Sequence, residues 1–98
     1  MIIDYNLNLV LKDDYILYFK ASWNSSCNLH IEALKELDLV AKINIYVVNV
    51  TKYPHLKAKY KVNRIPTYIL FNNDEIISRI DGSINRYSLI KWYKDNRV

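Results

Sequence analysis

The chain has 98 residues, 51% of them hydrophobic and 24% charged, which gives room for one core and a single domain over residues 1–98. A formal net charge of +4 is no more than solubility asks for, and one glycine, two prolines and one cysteine leave no linker, no low-complexity tract and no internal disulfide. No run approaches the ~18 apolar residues of a membrane span, and the opening MIIDYNLNLVLKDD has no basic region ahead of an apolar one, so a reduced, cytoplasmic setting without membrane contact is expected.

The first 14 residues are too few for a full strand and a full helix, so the N-terminal unit is predicted to be abbreviated. Residues 15–21 (YILYFKA) are dense in aromatic and branched side chains and predict a buried strand. From Asn24 to about Ala41 the period becomes helical. Leu29, Ala33, Leu34, Leu37, Val40 and Ala41 gather on one side, with Cys27 and Ile31 at its edge and Asn28, Glu32, Lys35 and Glu36 opposite. Asn24 is a good N-cap for that helix, its side-chain oxygen able to accept from the amides of Ser26 or Cys27.

Residues 43–50 (INIYVVNV) predict a second strand and 53–61 a short lysine-rich helix with Pro54 in its first turn. A third strand opens on Pro66 in residues 66–71 (PTYILF), and Asn72, Asn73 and Asp74 turn it into a hairpin with 75–80 (EIISRI). A proline at the start of a central strand donates no ladder hydrogen bond and suits a bend or a cis peptide. Gly82, the lone glycine, fits close backbone approach or positive φ as well as it fits a plain turn. Residues 83–97 close the chain as an amphipathic helix with Ser83 as N-cap and Ile84, Tyr87, Leu89, Ile90, Trp92 and Tyr93 as its apolar content. Alternating units followed by a hairpin imply an α/β fold: a three-layer sandwich on a mixed central sheet.

Three features in order resemble the thioredoxin family, from Tyr15 to the C-terminus. A strand runs into Ala21-Ser22-Trp23 where a helix begins, at the place of the family's Trp-Cys-Gly-Pro-Cys; Ile65-Pro66-Thr67 is similar to its Ile-Pro-Thr strand with the cis-proline; and Asp81-Gly82 falls where the family has the glycine facing that proline. The resemblance implies a thioredoxin-like fold and a peptide-binding groove formed by Trp23, Asn24, Ile65, Pro66 and Gly82.

The same resemblance implies that the redox groups are lost. Disulfide exchange needs an attacking thiolate and a second thiol to resolve the mixed disulfide. The first cysteine of the motif is Asn24 here, and only the second, Cys27, remains. The family's buried aspartate corresponds to Tyr18, the lysine that accompanies it to Val47, and the helix-kinking proline to Glu32. His30, three residues after Cys27, could lower the thiol pKa and act as base, but with no carboxylate evident to orient it the favoured reading is a histidine packed on the helix face. Cys27, His30 and the distant His55 are too few for a tetrahedral zinc site, so neither a metal nor another cofactor is expected.

These residues point to a monomeric thioredoxin-like protein without dithiol-disulfide oxidoreductase activity, binding a protein or peptide through the groove around Trp23 and Pro66. The alternative is an enzyme: a one-cysteine thiol-disulfide redox protein serving cell redox homeostasis through Cys27 assisted by His30. A nucleic-acid partner is disfavoured, because the nine tyrosines are scattered in the manner of core residues. The basic segment Lys52, Lys57, Lys59, Lys61 and Arg64 leaves that partner open and otherwise reads as a solvated surface.

Overall fold

The computed structural model of the chain describes residues 1–21 and 27–97, with the side chains of residues 27–30 outside that description. Its elements are β1 (Ile2–Asp4), β2 (Asp14–Lys20), α1 (Cys27–Ala41), β3 (Asn44–Asn49), α2 (Pro54–Lys59), β4 (Thr67–Asn72), β5 (Glu75–Asp81) and α3 (Arg86–Asn96). The five strands form one sheet in the order β1-β3-β2-β4-β5. β3 is parallel to both β1 and β2, whereas β4 is antiparallel to β2 and β5, the mixed sheet expected of alternating units that end in a hairpin.

The central strands β2, β3 and β4 are buried on both faces, which is why their sequences read as nearly unbroken apolar runs. Successive side chains alternate between two core clusters. Tyr15, Leu17 and Phe19 of β2 join Tyr46, Val48, Ile69 and Phe71 on one face, which Leu56 of α2 and Val62 cover. Ile16 and Tyr18 join Ile45, Tyr68 and Leu70 on the other, beneath Ala33, Leu34, Leu37 and Ala41 of α1 and Leu89 and Tyr93 of α3. Helices on both faces make the three layers.

The N-terminal unit is short, as expected. β1 has three residues, and the chain then turns at Asn6, whose carbonyl accepts from Leu9 N–H at 3.2 Å. Tyr5, Leu9 and Leu11 pack onto the α2-side cluster as irregular chain, doing there the covering that a helix would otherwise do. Six of the nine tyrosines, namely Tyr15, Tyr18, Tyr46, Tyr53, Tyr68 and Tyr93, are buried.

Three expectations are corrected. The last helix starts at Arg86, not near Ser83, because Asn85 caps it by accepting from Ser88 N–H at 2.9 Å. Gly82 at φ +95° has by then turned the chain, so Ser83 and Ile84 are spent in the bend. Val40, placed with the apolar side of α1, is 37% exposed, and Tyr87, counted with the apolar content of α3, is 72% exposed. Both lie off the narrower stripes that reach the sheet, Leu34/Leu37/Ala41 on α1 and Leu89/Tyr93 on α3.

Candidate functional site

The carboxyl ends of β2 and β3 run side by side, joined past the last ladder pair by Val50 N–H donating to the Lys20 carbonyl at 2.9 Å. Trp23 and Asn24 lie outside the described residues, and with them the expected Asn24 cap. Cys27 and His30 stand at the start of α1, and their side chains are likewise outside the description.

On the sheet face that α1 and α3 cover, the register places Tyr18 between Val47 on β3 and Tyr68 on β4. The Tyr18 and Tyr68 rings stack with centroids 5.1 Å apart at 29°. Tyr18 is 2% exposed and Tyr68 fully buried. Burial, and after it the neighbouring Tyr18, pushes the Tyr68 hydroxyl well above the ordinary tyrosine range. Its oxygen has no hydrogen-bond partner among the described residues. The raised pKa keeps the Tyr68 hydroxyl neutral at neutral pH, and Tyr18 and Val47 stand where the family has an aspartate and a lysine, so neither a carboxylate nor an ammonium lies in this layer.

The second half of the site is a corner built by β4 and β5. The Ile65–Pro66 peptide is cis. The register sets Thr67 opposite Asp81, and just beyond that pair Gly82 N–H donates to the Pro66 carbonyl at 2.7 Å. The sequence-predicted residues Pro66 and Gly82 are thus in direct contact, with Ile65 adjoining them. A methyl group on Gly82 would meet Arg64 Cδ at 3.6 Å, an ordinary contact, so the φ of +95° and not the available space is what calls for glycine. Ile65 is half-buried and takes part in no backbone hydrogen bond among the described residues.

Sequence reasoning missed the lock that holds this corner. Thr67, fully buried, donates its hydroxyl to the Arg64 carbonyl at 2.6 Å, with Asp81 Oδ1 at 3.2 Å. Arg79 grips both oxygens of Asp81, Nη2 to Oδ1 at 2.6 Å and Nε to Oδ2 at 3.2 Å, and reaches the Tyr60 carbonyl at 2.7 Å. The Arg79 guanidinium, helped by Thr67 and Arg64, holds the Asp81 carboxyl below its ordinary range. An arginine and an aspartate two apart on one strand share a face, and that spacing was the available signal.

Among the described residues no group of three or more His, Cys, Asp or Glu side chains could hold a metal ion, and no helix is long and apolar enough to cross a membrane. The comparisons with known proteins agree with the fold. The thioredoxin family model matches residues 4–95. The thioredoxin of Rickettsia bellii is 33% identical over 91 residues, spanning 89% of this chain and 87% of that protein. The chloroplastic thioredoxin Y1 of Arabidopsis thaliana is 32% identical over 91 residues, or 90% of this chain and 53% of its own length, so the chain spans about half of that relative. Among solved structures, thioredoxin-2, described as a component of the malaria parasite protein secretion machinery, is similar with a TM-score of 0.78 at 26% identity, covering 89% of this chain and 86% of that one. Mitochondrial thioredoxin 3 of Saccharomyces cerevisiae gives a TM-score of 0.76 at 25% identity, over 86% and 79% of the two chains. With a family match over nearly its whole length and a relative one-third identical, the chain belongs to the thioredoxin family.

Proposed function

We propose that this thioredoxin-family chain binds an extended peptide or protein segment and has lost dithiol-disulfide exchange. The observation that carries the reading is the uncharged Tyr18–Val47–Tyr68 layer on the sheet face that α1 covers. The chain's one cysteine stands at the head of that helix. A thiol exchange cycle needs a proton acceptor near the thiol and a second sulfur, and the sequence supplies no second cysteine. Beside this neutral layer the Ile65–Pro66–Gly82 corner offers backbone onto which a peptide can add as a short strand with Trp23 and Ile65 giving apolar contact.

A disulfide reductase assay beside a thiol titration of Cys27 tests the first half. The expected result is turnover no higher than that of Cys27→Ala, with slow labelling of the thiol. A Cys27 pKa of about 7 together with measurable turnover would establish the one-cysteine enzyme with His30 as its base and end this reading. For the second half, a fluorescein-labelled Val/Thr-rich synthetic peptide should bind the protein and lose affinity in Trp23→Ala/Ile65→Ser. Unchanged affinity in that variant excludes the groove.

A further inference from the structure

Beside the Ile65–Pro66 corner the surface is shaped and charged in one sense. Lys61, Asn63, Arg64 and Asp81 line a depression of about 210 Å³. It adjoins a second of about 440 Å³, lined by Lys57, Lys61 and Asn63 together with Pro54, Ala58 and Val62. Lys61 and Asn63 belong to both, so the two form one continuous ledge. Lys57, Lys61 and Arg64 are exposed, and none of them makes an ion pair among the described residues. The carboxylate lining the ledge, Asp81, is already gripped by Arg79. Its charge is thereby matched, which leaves Lys57 and Lys61 exposed with no carboxylate partner among the described residues and Arg64 exposed beside the Arg79–Asp81 pair.

We infer that this ledge binds an acidic segment continuing out of the groove, so that the peptide recognised at Ile65–Pro66–Gly82 carries glutamates or aspartates beside its extended part. The inference rests on the groove reading above. Arg64 links the two places: it directly precedes Ile65 in the chain, and its side chain lies along Gly82, the opposite wall of the corner. A peptide leaving the corner on that side meets Arg64 first and the two lysines after it. A nucleic acid fits less well, because the tyrosines of this segment are not free to stack on bases. Tyr53 is buried, with Lys52 Nζ 5.6 Å from its ring centroid, and Tyr60 is packed against Phe19 and Phe71 with Lys59 Nζ 5.3 Å from its own.

Two fluorescein-labelled synthetic peptides provide the test, sharing one Val/Thr-rich half and ending in a run of glutamates or a run of lysines. Anisotropy titrations at low salt should show the glutamate peptide bound about tenfold more tightly, the advantage shrinking as salt screens exposed charges. The Lys57→Glu/Lys61→Glu variant, which leaves Arg64 in place, should abolish that advantage while keeping its melting temperature. Equal affinity for the two peptides, both weakened by Ile65→Ser, would overturn the ledge and leave the groove standing. A glutamate preference that survives when Ile65→Ser changes neither affinity would uphold the ledge and sink the groove reading. A labelled single-stranded oligonucleotide bound as tightly as the glutamate peptide would overturn the assignment to an acidic peptide, and so would failure to bind either peptide.

Discussion

Replacing Tyr68 by phenylalanine should stabilise this protein. The ring, on β4, is fully buried in the cluster that α1 and α3 cover, and its hydroxyl has no partner among the described residues. An unpaired hydroxyl taken from water into a protein interior costs about 1–3 kcal/mol. Phenylalanine keeps the stack on Tyr18 and the volume of the ring, and the gap left by one oxygen forfeits only a few contacts. The net gain worked from these terms is about 1 kcal/mol, or roughly 4–8 °C in melting temperature for a domain of this size. Thermal and urea melts followed by circular dichroism at neutral pH would measure it, with an unchanged urea slope showing that the gain is one of stability alone. Tyr15→Phe is the control, because Tyr15 is equally a core residue but donates its hydroxyl to Asp74 at 3.1 Å, so its loss should cost about 1 kcal/mol. Destabilisation of Tyr68→Phe by as much as the control would mean that the Tyr68 hydroxyl is bonded, and the argument from an unsatisfied group would be wrong.

Other perturbations have equally definite outcomes. Burial, acting first among the causes, raises the hydroxyl pKa of Tyr15, Tyr68 and Tyr93 in the folded state. The neutral form is therefore the one the fold favours, so stability is full below the unfolded tyrosine pKa of about 10 and falls above it, by up to ~1.4 kcal/mol per pH unit for each group. Urea midpoints that stay level from about pH 8 to 11 would contradict this sign. Asn85→Ala should cost about 1 kcal/mol through loss of the α3 cap, whereas Ser83→Ala should change the urea midpoint little, and the reverse order would restore Ser83 as the cap. Gly82→Ala should cost about 1–2 kcal/mol in the same assay because φ +95° is unfavourable for alanine, and a neutral result would show that the turn relaxes freely.

Strand identity, order of elements and the hairpin were legible because the central strands are buried on both faces and spell that out as apolar runs, while Asn72 to Asp74 mark the turn. Pro66 and Gly82 were legible as a pair because each is the rare residue of its type in this chain, and they meet through Gly82 N–H on the Pro66 carbonyl. The start of α3 was misread because Ser83 and Asn85 are both good caps by composition, and the choice between them was made by where Gly82 bends the chain. Helix faces were drawn too wide, since a period shows which side is apolar and not how much of it the sheet can cover, hence the exposure of Val40 and Tyr87. The Arg79–Asp81–Thr67 lock was missed because it joins residues across a strand pair whose register only the fold reveals.

The hairpin ladder slips between Leu70 and Phe71: Leu70 faces Ser78, Phe71 faces Ile76, and Ile77 is the extra residue between them. β5 is an open edge of the sheet, and Ile76 and Ile77 stand 49% and 37% exposed on it. A straight edge strand bearing two exposed isoleucines would be a template for stacking one molecule on another. A bulge at that point bends the strand and breaks the regular row of donors and acceptors, so a second strand could pair with only part of it. The irregularity thus works as a safeguard against aggregation, and it keeps strand addition away from this edge in a protein whose proposed ligand is itself a strand.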